Sequence, residues 1–407
     1  MLNLQNLEKT DRANRNPKHT FVISQGSFAL QPFMLARVLP GESLKNLRFE
    51  ARTRMTNALS PIIGFTQQYF FFYVRATDLA LDYFRDMFVD EQNRGLIATQ
   101  TVEEATGRAV TYCAAGGIDW SWRALEMVTK HYFRDQDEAW TIAQDGAGRP
   151  LAQIRENTWM DSLIREADLP EGAALSTATD AGDLDRLMDM FSQLRALGIA
   201  NMTYEDWLRS NGINIPEKDE NKPKLLTVFR DFKYPSNLVD SDGGPAFGYS
   251  NVMSDSFNKP VFFKEPGFLV GISVIRPKTY FNNLKGSLAG FADRAWDWAP
   301  NYLREMPETT LKSFPAATGP ITGATVPYVV DMRDDLIHGD QFIYDPLGAI
   351  VGEEIVLPDL TTMKFKYPTA AQASAITGGT QFQTDGVVSM TISGFERDFS
   401  VGNFAQS

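Results

Sequence analysis

Alternation of apolar and polar residues predicts β-strands near the start of the chain. The clearest case is LRFEARTRM, residues 47–55, where one face is apolar and the other carries Arg48, Glu50, Arg52 and Arg54. The segment FALQPFMLARV, residues 28–38, also has an apolar face, and the LPGES that follows predicts a turn. Because Pro32 has no backbone N–H, we expect this strand at a sheet edge or at a bulge.

The segment QQYFFFYVR, residues 67–75, has no polar face. Its aromatic residues are Tyr69, Phe70, Phe71, Phe72 and Tyr73. Successive side chains in a strand point to opposite sides, so both faces of this strand are apolar. We therefore expect both to be covered, one by a second sheet and the other by an insertion or a neighbouring subunit.

Strand patterns lie at both ends of the chain and predict an interrupted β-sandwich. They return at residues 267–276 and in short segments towards the end, whereas residues 79–257 contain helical patterns such as DWSWRALEMVTKHYF and Gly-rich loops. We predict a mainly β core of residues 19–78 and 258–407, with a smaller insertion at about 278–340. Residues 79–257 are predicted as a large helical and irregular insertion that makes surface and inter-subunit contacts. Strands so distant in sequence are typical of an eight-stranded jelly roll.

Charge restricts any nucleic-acid contact to local segments. The formal net charge is −12, which argues against a protein that coats nucleic acid over its whole surface. Residues 1–18 are polar and locally basic and predict an irregular arm, with candidate DNA contacts at Lys9, Arg12, Arg15 and Lys18. The face of Arg48, Arg52 and Arg54 is interpreted first as a solvated strand face. Its alternative role is to bind phosphate oxygens or a neighbour's carboxylates.

Side chains that carry catalytic or metal chemistry are sparse. The chain has three histidines and one cysteine, without an HExxH or similar ligand spacing, so we predict no metal, no cofactor and no enzyme activity. The acidic cluster around His338 and the pair His131 and Asp135 are interpreted as solvated segments. Neither a secretory signal nor a membrane span is predicted. The tryptophans leave one alternative open, a carbohydrate-binding or hydrolytic β-sandwich; the candidates are Trp120, Trp122, Trp296 and Trp298.

Two blocks of the sequence resemble the major capsid proteins of the microviruses, small tailless phages with single-stranded DNA, especially the gokushovirus-like branch. The first block is VLPGESLKNLRFEARTRMTNALSPIIGFTQQYFFFYVR, residues 38–75. The second is EPGFLVGISVIRPKTYFNN, residues 265–283, followed by the Trp-rich AWDWAPNY. The order of the blocks, and the large insertion between them, also resemble the family.

The resemblance implies a structural protein of the virion. It implies a viral jelly roll that self-assembles into a T=1 icosahedral capsid around circular single-stranded DNA, formed in the cytoplasm of a host bacterium. Implied partners are further copies of the chain, the packaged DNA, a small basic DNA-binding virion protein, spike or pilot proteins and a host cell-surface receptor. The basic arm would then face the interior of the shell.

Overall fold

The computed structural model describes residues 12–55, 64–79, 120–133, 144–145, 148–152, 208, 212–213, 222–239, 245–277, 298, 311–313, 329–331 and 381–395. Within these ranges the fold is mainly β and every strand pairing is antiparallel. The strands of the first half are β1 (Arg12–Arg15), β2 (Lys18–Gln25), β3 (Gln31–Val38), β4 (Ser43–Met55) and β5 (Phe65–Arg75). Those of the second half are β6 (Lys224–Lys233), β7 (Ser236–Val239), β8 (Pro245–Phe257), β9 (Val261–Phe262), β10 (Gly267–Pro277), β11 (Leu311–Ser313), β12 (Val329–Asp331) and β13 (Phe382–Phe395).

Two sheets form the sandwich. The large sheet has the order β1-β13-β4-β8-β7, with β2 also paired to β13 and β9 to β4. The small sheet has the order β3-β10-β5-β6. Strands β11 and β12 pair only with each other among the described residues. The predicted β-sandwich class is confirmed.

The apolar core between the sheets is largely aromatic. Phe49 of the large sheet lies at its centre, 4.4 Å from the ring of Tyr69 and 5.7 Å from that of Phe71 by ring centroids. Phe33 meets both Tyr69 and Phe71 edge-on at 5.6 Å. These tilted and edge-to-face contacts are the arrangements that aromatic rings prefer. Alternation along each strand therefore places one face of the aromatic strand β5 inside the sandwich, as predicted.

The other face of β5 is covered by the insertion. Helix α1 (Trp120–Val128) continues into a π-helical turn, Thr129–Phe133, at the position predicted for a helix. The cluster that α1 forms with β5 and β10 includes Phe72, Leu125 and Val270, all fully buried. Phe133 packs edge-on against Phe70 at a ring distance of 5.4 Å. Of the two predicted covers, insertion or neighbouring subunit, the structure shows the insertion.

The predicted position of Pro32 is confirmed. Strand β3, which contains it, is an edge strand of the small sheet. The register between β3 and β10 also shifts at this point, because Gly271 lies opposite Met34 and Ile272 lies opposite Pro32, leaving Phe33 without an opposite residue. Edge position and bulge thus both accommodate the missing N–H.

Two predicted boundaries were wrong. Residues 12–15 are not irregular, because β1 pairs with β13 over four residues. The insertion does not extend to residue 257, since β6 lies in the small sheet and β7 and β8 lie in the large one. The alternation in residues 245–257 is weak, because the polar Asn251 lies at a buried position and Val252 at an exposed one, so the sequence pattern does not predict the strand. The other predicted helices, residues 1–11 and the predicted strands between 341 and 367 lie outside the described residues.

Gly386 fills a position in β13 that has no room for a side chain. A Cβ built there would lie 2.5 Å from the carbonyl oxygen of Glu50 and 2.5 Å from the ring of Phe21. We expect Gly386→Ala to destabilise the fold by roughly 1–3 kcal/mol, because the neighbouring strand must move. Gly26→Ala is the matched control, since nothing lies within 4 Å of its Cβ position. Thermal unfolding of both variants measures the difference, and equal melting temperatures would contradict the close packing at Gly386.

Candidate nucleic-acid interface

The predicted basic contacts do not form one irregular arm. Lys9 lies outside the described residues, and Arg12 begins β1, with the Cα of Phe395 as its partner in the register. Lys18 is exposed at the start of β2, next to Ser389 of β13. Of the four, the structure thus places Arg12, Arg15 and Lys18 on β1 and β2, which pair with β13 at one edge of the large sheet. Their contact with DNA remains a prediction.

Arg15 is bound within the chain. Its Nε donates to Oε1 of Glu42 at 2.9 Å and its Nη2 donates to Oε2 at 2.7 Å, a bidentate pair. Nη2 also donates to the carbonyl of Arg37 at 3.2 Å. Glu42 is buried, while the Arg15 side chain is 44% exposed. This pair ties β1 to the turn before β4 and leaves Arg15 less available to an external phosphate than Lys18.

A tight turn holds Glu42 in place. The backbone N–H of Glu42 donates to the carbonyl of Leu39 at 3.2 Å, and Gly41 has a φ of 82°. Proline at the second position and glycine with positive φ at the third are the residues of a type II turn, so the predicted LPGES turn is confirmed. The Glu42 carboxylate also accepts from the Leu39 N–H at 2.8 Å. The turn therefore presents a carboxylate whose orientation is fixed for Arg15.

His19 makes the stability of this edge depend on pH. Its pKa is lowered from 6.5, first by burial and then by the nearby positive charge of Arg15. A lowered folded-state pKa contributes stability that is complete above the unfolded value of 6.5 and is lost as the pH falls through the folded value. We therefore expect the thermal unfolding midpoint to decrease when the pH is lowered from about 7.5 to about 5. The decrease should be smaller in His19→Gln. An equal fall in both proteins would rule out this role.

The outward face of the large sheet carries several exposed cations, among them Lys18, one of the predicted DNA contacts. We call it the open face, and it consists of four rows across β2, β13, β4 and β8. The rows are Lys18–Ser389–Arg48–Ser256, Thr20–Val387–Glu50–Ser254, Val22–Asp385–Arg52–Val252 and Ser24–Gln383–Arg54–Ser250. Val22 is 82% exposed and Val252 63%, so no residue that the structure describes covers the two ends of the row that contains them.

The arginines of the open face differ in their partners. Arg48 pairs with Glu50 at 2.6 Å, and both side chains are at least half exposed. Such a surface pair contributes little stability. Within the described part of the chain, Arg52 and Arg54 form no ion pair. A shallow depression of about 290 Å³ lies beside Arg52, between β8 and β13, with Val252 and Val387 on its sides.

Sequence reasoning found the arginines of β4 but not their neighbours. The alternation over residues 47–55 placed Arg48, Arg52 and Arg54 on one face, and the structure confirms that they are exposed. It gave no sign that Lys18 belongs to the same row as Arg48. The strand between them is β13, more than 300 residues away in sequence, so only the sheet register brings the two cations together.

The aromatic residues singled out in the sequence are structural within the chain. Tyr69, Phe71 and Tyr73 belong to the core between the sheets, and Phe70 and Phe72 belong to the cluster under α1. Burial raises the pKa of Tyr69 to about 12, so its phenol stays neutral. Gln67 donates to the Tyr69 hydroxyl and to Thr53, and Asn251 donates to Gln67 at 3.0 Å. This buried network links the two sheets and is not open to a ligand.

The tryptophans proposed as sugar platforms are only partly available. Trp122 is buried in the cluster under α1, and Trp120 packs on Phe268 at a ring distance of 5.1 Å. Trp298 is 77% exposed, and Trp296 lies outside the described residues. Of the three described tryptophans, only Trp298 therefore presents a mostly exposed ring.

The candidate metal ligands are mostly not described. His131 lies in the π-helical turn, whereas its predicted partner Asp135 and the segment around His338 lie outside the described residues. Where the structure is described, no group of three or more His, Cys, Asp or Glu side chains is close enough to hold a metal ion. The described helices include none with the length and apolar character needed to cross a membrane.

Comparison with known proteins adds no family assignment. No protein-family model matches the chain, and a search of curated proteins finds no match.

Proposed function

We propose that this chain is the major capsid protein of a small tailless bacteriophage, and that its sandwich is a viral jelly roll. The observation that carries the proposal is the strand order. Eight strands divide into two sets of four, β2-β13-β4-β8 and β3-β10-β5-β6. Along the chain they alternate between the two sheets except at the step from β5 to β6. This order supports a double-sheet jelly roll, an architecture shared by viral capsid and lectin domains.

The resemblance to microvirus capsid proteins supports the capsid alternative over the lectin one. One segment of each of its two sequence blocks forms a strand of the small sheet, and these strands are neighbours. Residues 65–75 of the first block pair with residues 267–277 of the second over eleven consecutive positions. These two segments of the family-like blocks are thus adjacent strands at the centre of the small sheet, although they lie about 190 residues apart in sequence, whereas β4 of the first block belongs to the large sheet.

The proposed mechanism is self-association. In a T=1 shell each copy makes the same contacts, so symmetry multiplies interfaces that are modest individually. The shell encloses circular single-stranded DNA, and because the chain is acidic overall, a small basic virion protein supplies additional positive charge. Spike or pilot proteins and a host receptor complete the proposed set of partners.

Sedimentation velocity of the full-length chain, expressed alone, tests self-association. We expect a concentration-dependent distribution containing pentamers or closed shells, visible by negative-stain electron microscopy. A monomer at all concentrations, both alone and in extracts of producing cells, would contradict the capsid proposal. A glycan-binding screen of the same sample would then test the carbohydrate-binding alternative.

A further inference from the structure

The open face is the surface of the sandwich best suited to bind a ligand. The opposite surface of the sandwich, on the small sheet, is covered by α1, whereas the open face is solvent-exposed across several strands. Its sixteen side chains project from four adjacent strands. Adjacent strands are about 4.8 Å apart and alternate residues about 7 Å apart along each strand, so the face forms a regularly spaced array.

The charge of the open face is opposite to that of the whole chain. It carries four cations, Lys18, Arg48, Arg52 and Arg54, and two anions, Glu50 and Asp385, in a chain whose formal charge is −12. Asp385 is the Cα neighbour of Arg52, and Glu50 pairs with Arg48. Arg54 and Lys18, at two ends of the array, are flanked there by hydroxyl and amide side chains. The positive excess is complementary to a polyanion.

The remaining polar side chains are those that contact phosphate and sugar. Apart from the six charged residues and three valines, the array consists of hydroxyl and amide side chains: Thr20, Ser24, Ser250, Ser254, Ser256, Gln383 and Ser389. Serine, threonine and glutamine donate to phosphate oxygens alongside arginine and lysine. The four rows contain no aromatic side chain on which a base could stack. The face is therefore suited to a nucleic-acid backbone rather than to its bases.

From this geometry we propose that the open face binds the sugar–phosphate backbone of single-stranded nucleic acid without base preference. The inference rests on the proposed function and deepens it, because it moves the main DNA contact from the N-terminal segment to β4 and its neighbours. Arg52 and Arg54 bind phosphate oxygens, Lys18 and Arg48 extend the cationic surface, and the hydroxyl side chains complete the hydrogen bonds. Arg15 is not part of this contact, because Glu42 holds its guanidinium.

Fluorescence anisotropy with a labelled thymidine 30-mer and a mixed-sequence 30-mer tests the proposal on the full-length chain. For single strands, the logarithm of the binding constant falls with the logarithm of salt concentration by about 0.7 per neutralised phosphate. Arg48→Gln/Arg52→Gln/Arg54→Gln should therefore reduce this slope by about 2, equally for both oligonucleotides. Lys224→Gln/Lys259→Gln/Lys264→Gln, which removes three exposed cations elsewhere, is the matched control and should leave the slope near that of the wild type.

A second variant tests binding in case the triple variant does not fold. Ser250→Glu places a carboxylate opposite Arg54, at an exposed position, and should weaken binding in a protein that melts like the wild type. An unchanged slope in the triple variant, or a strong preference for one oligonucleotide, would overturn the proposal. A triple variant with unchanged DNA binding but altered sedimentation would also overturn the proposal. The open face would then contact another copy of the chain.

The DNA content of particles separates this proposal from the capsid function. If the wild-type chain forms shells and the triple variant forms shells with less protected DNA, both proposals are supported. Shells of the triple variant with the wild-type amount of DNA would overturn the open-face proposal and leave the capsid function standing. Failure of the wild-type chain to form shells in producing cells would contradict the capsid function, whereas the oligonucleotide assay would still decide the binding face.

Discussion

Phe49→Ala should destabilise the sandwich by about 3–5 kcal/mol, the range for removing a fully buried phenylalanine. Phe49 has no exposed surface, and its ring contacts five aromatic rings from both sheets: Phe21, Phe33, Tyr69, Phe71 and Phe229. Each aromatic contact adds to the loss of buried apolar area. The cavity cannot close easily, because its walls are rings held by four different strands besides β4.

Chemical unfolding of the full-length chain measures this effect. Phe262→Ala is the matched control, since it removes the same ring at a position that is 52% exposed. We expect a much smaller shift of the unfolding midpoint for the control. Equal shifts for Phe49→Ala and Phe262→Ala would contradict the placement of Phe49 at the centre of the core.

Leu125→Asp should detach α1 from the small sheet and destabilise the fold by several kcal/mol. Leu125 is fully buried in the cluster that also contains Phe72, Val74 and Ile272. An aspartate there would be a charge buried among apolar side chains, and its desolvation is costly. Loss of α1 would expose the second apolar face of β5 to water, which favours aggregation.

Lys130→Ala is the control for this substitution. It removes an exposed pair on the next turn, in which the Lys130 Nζ lies 2.8 Å from Glu126, and such pairs contribute a few tenths of a kcal/mol. Binding of a hydrophobic dye and limited proteolysis measure the exposure of β5. A Leu125→Asp protein that binds no more dye than Lys130→Ala would show that α1 is not the cover of the aromatic strand.

The sequence was most informative where the residue pattern of a single strand showed which of its faces are buried and which are exposed. The unbroken aromatic run of β5 required covers on two sides, and both were found. The clean alternation of β4 separated Phe49, in the core, from Arg48 and Arg52, at the surface. The Pro–Gly pair before β4 indicated its turn. These predictions depend on alternation and backbone chemistry, which act over a few residues.

The parts that could not be predicted depend on pairing between distant segments. Strand β8 has a polar residue, Asn251, inside and an apolar one, Val252, outside, so its alternation does not stand out. It belongs to the sheet through its register with β4, which places Met253 and Asn251 inward. The sequence alone indicates a free cation at Arg15. In the fold, the turn at Gly41 places the Glu42 carboxylate against it. The open face likewise exists only because β13 joins β2 to β4, a non-local pairing that no local pattern reveals.

The central claim is most directly tested by cryo-electron microscopy of the protein purified from producing cells, after nuclease treatment. The capsid proposal predicts uniform T=1 icosahedral particles that contain protected, circular single-stranded DNA, with the sandwich of this chain repeated in the shell. A monomer or small oligomer without nucleic acid, from cells that produce the chain in full, would contradict it.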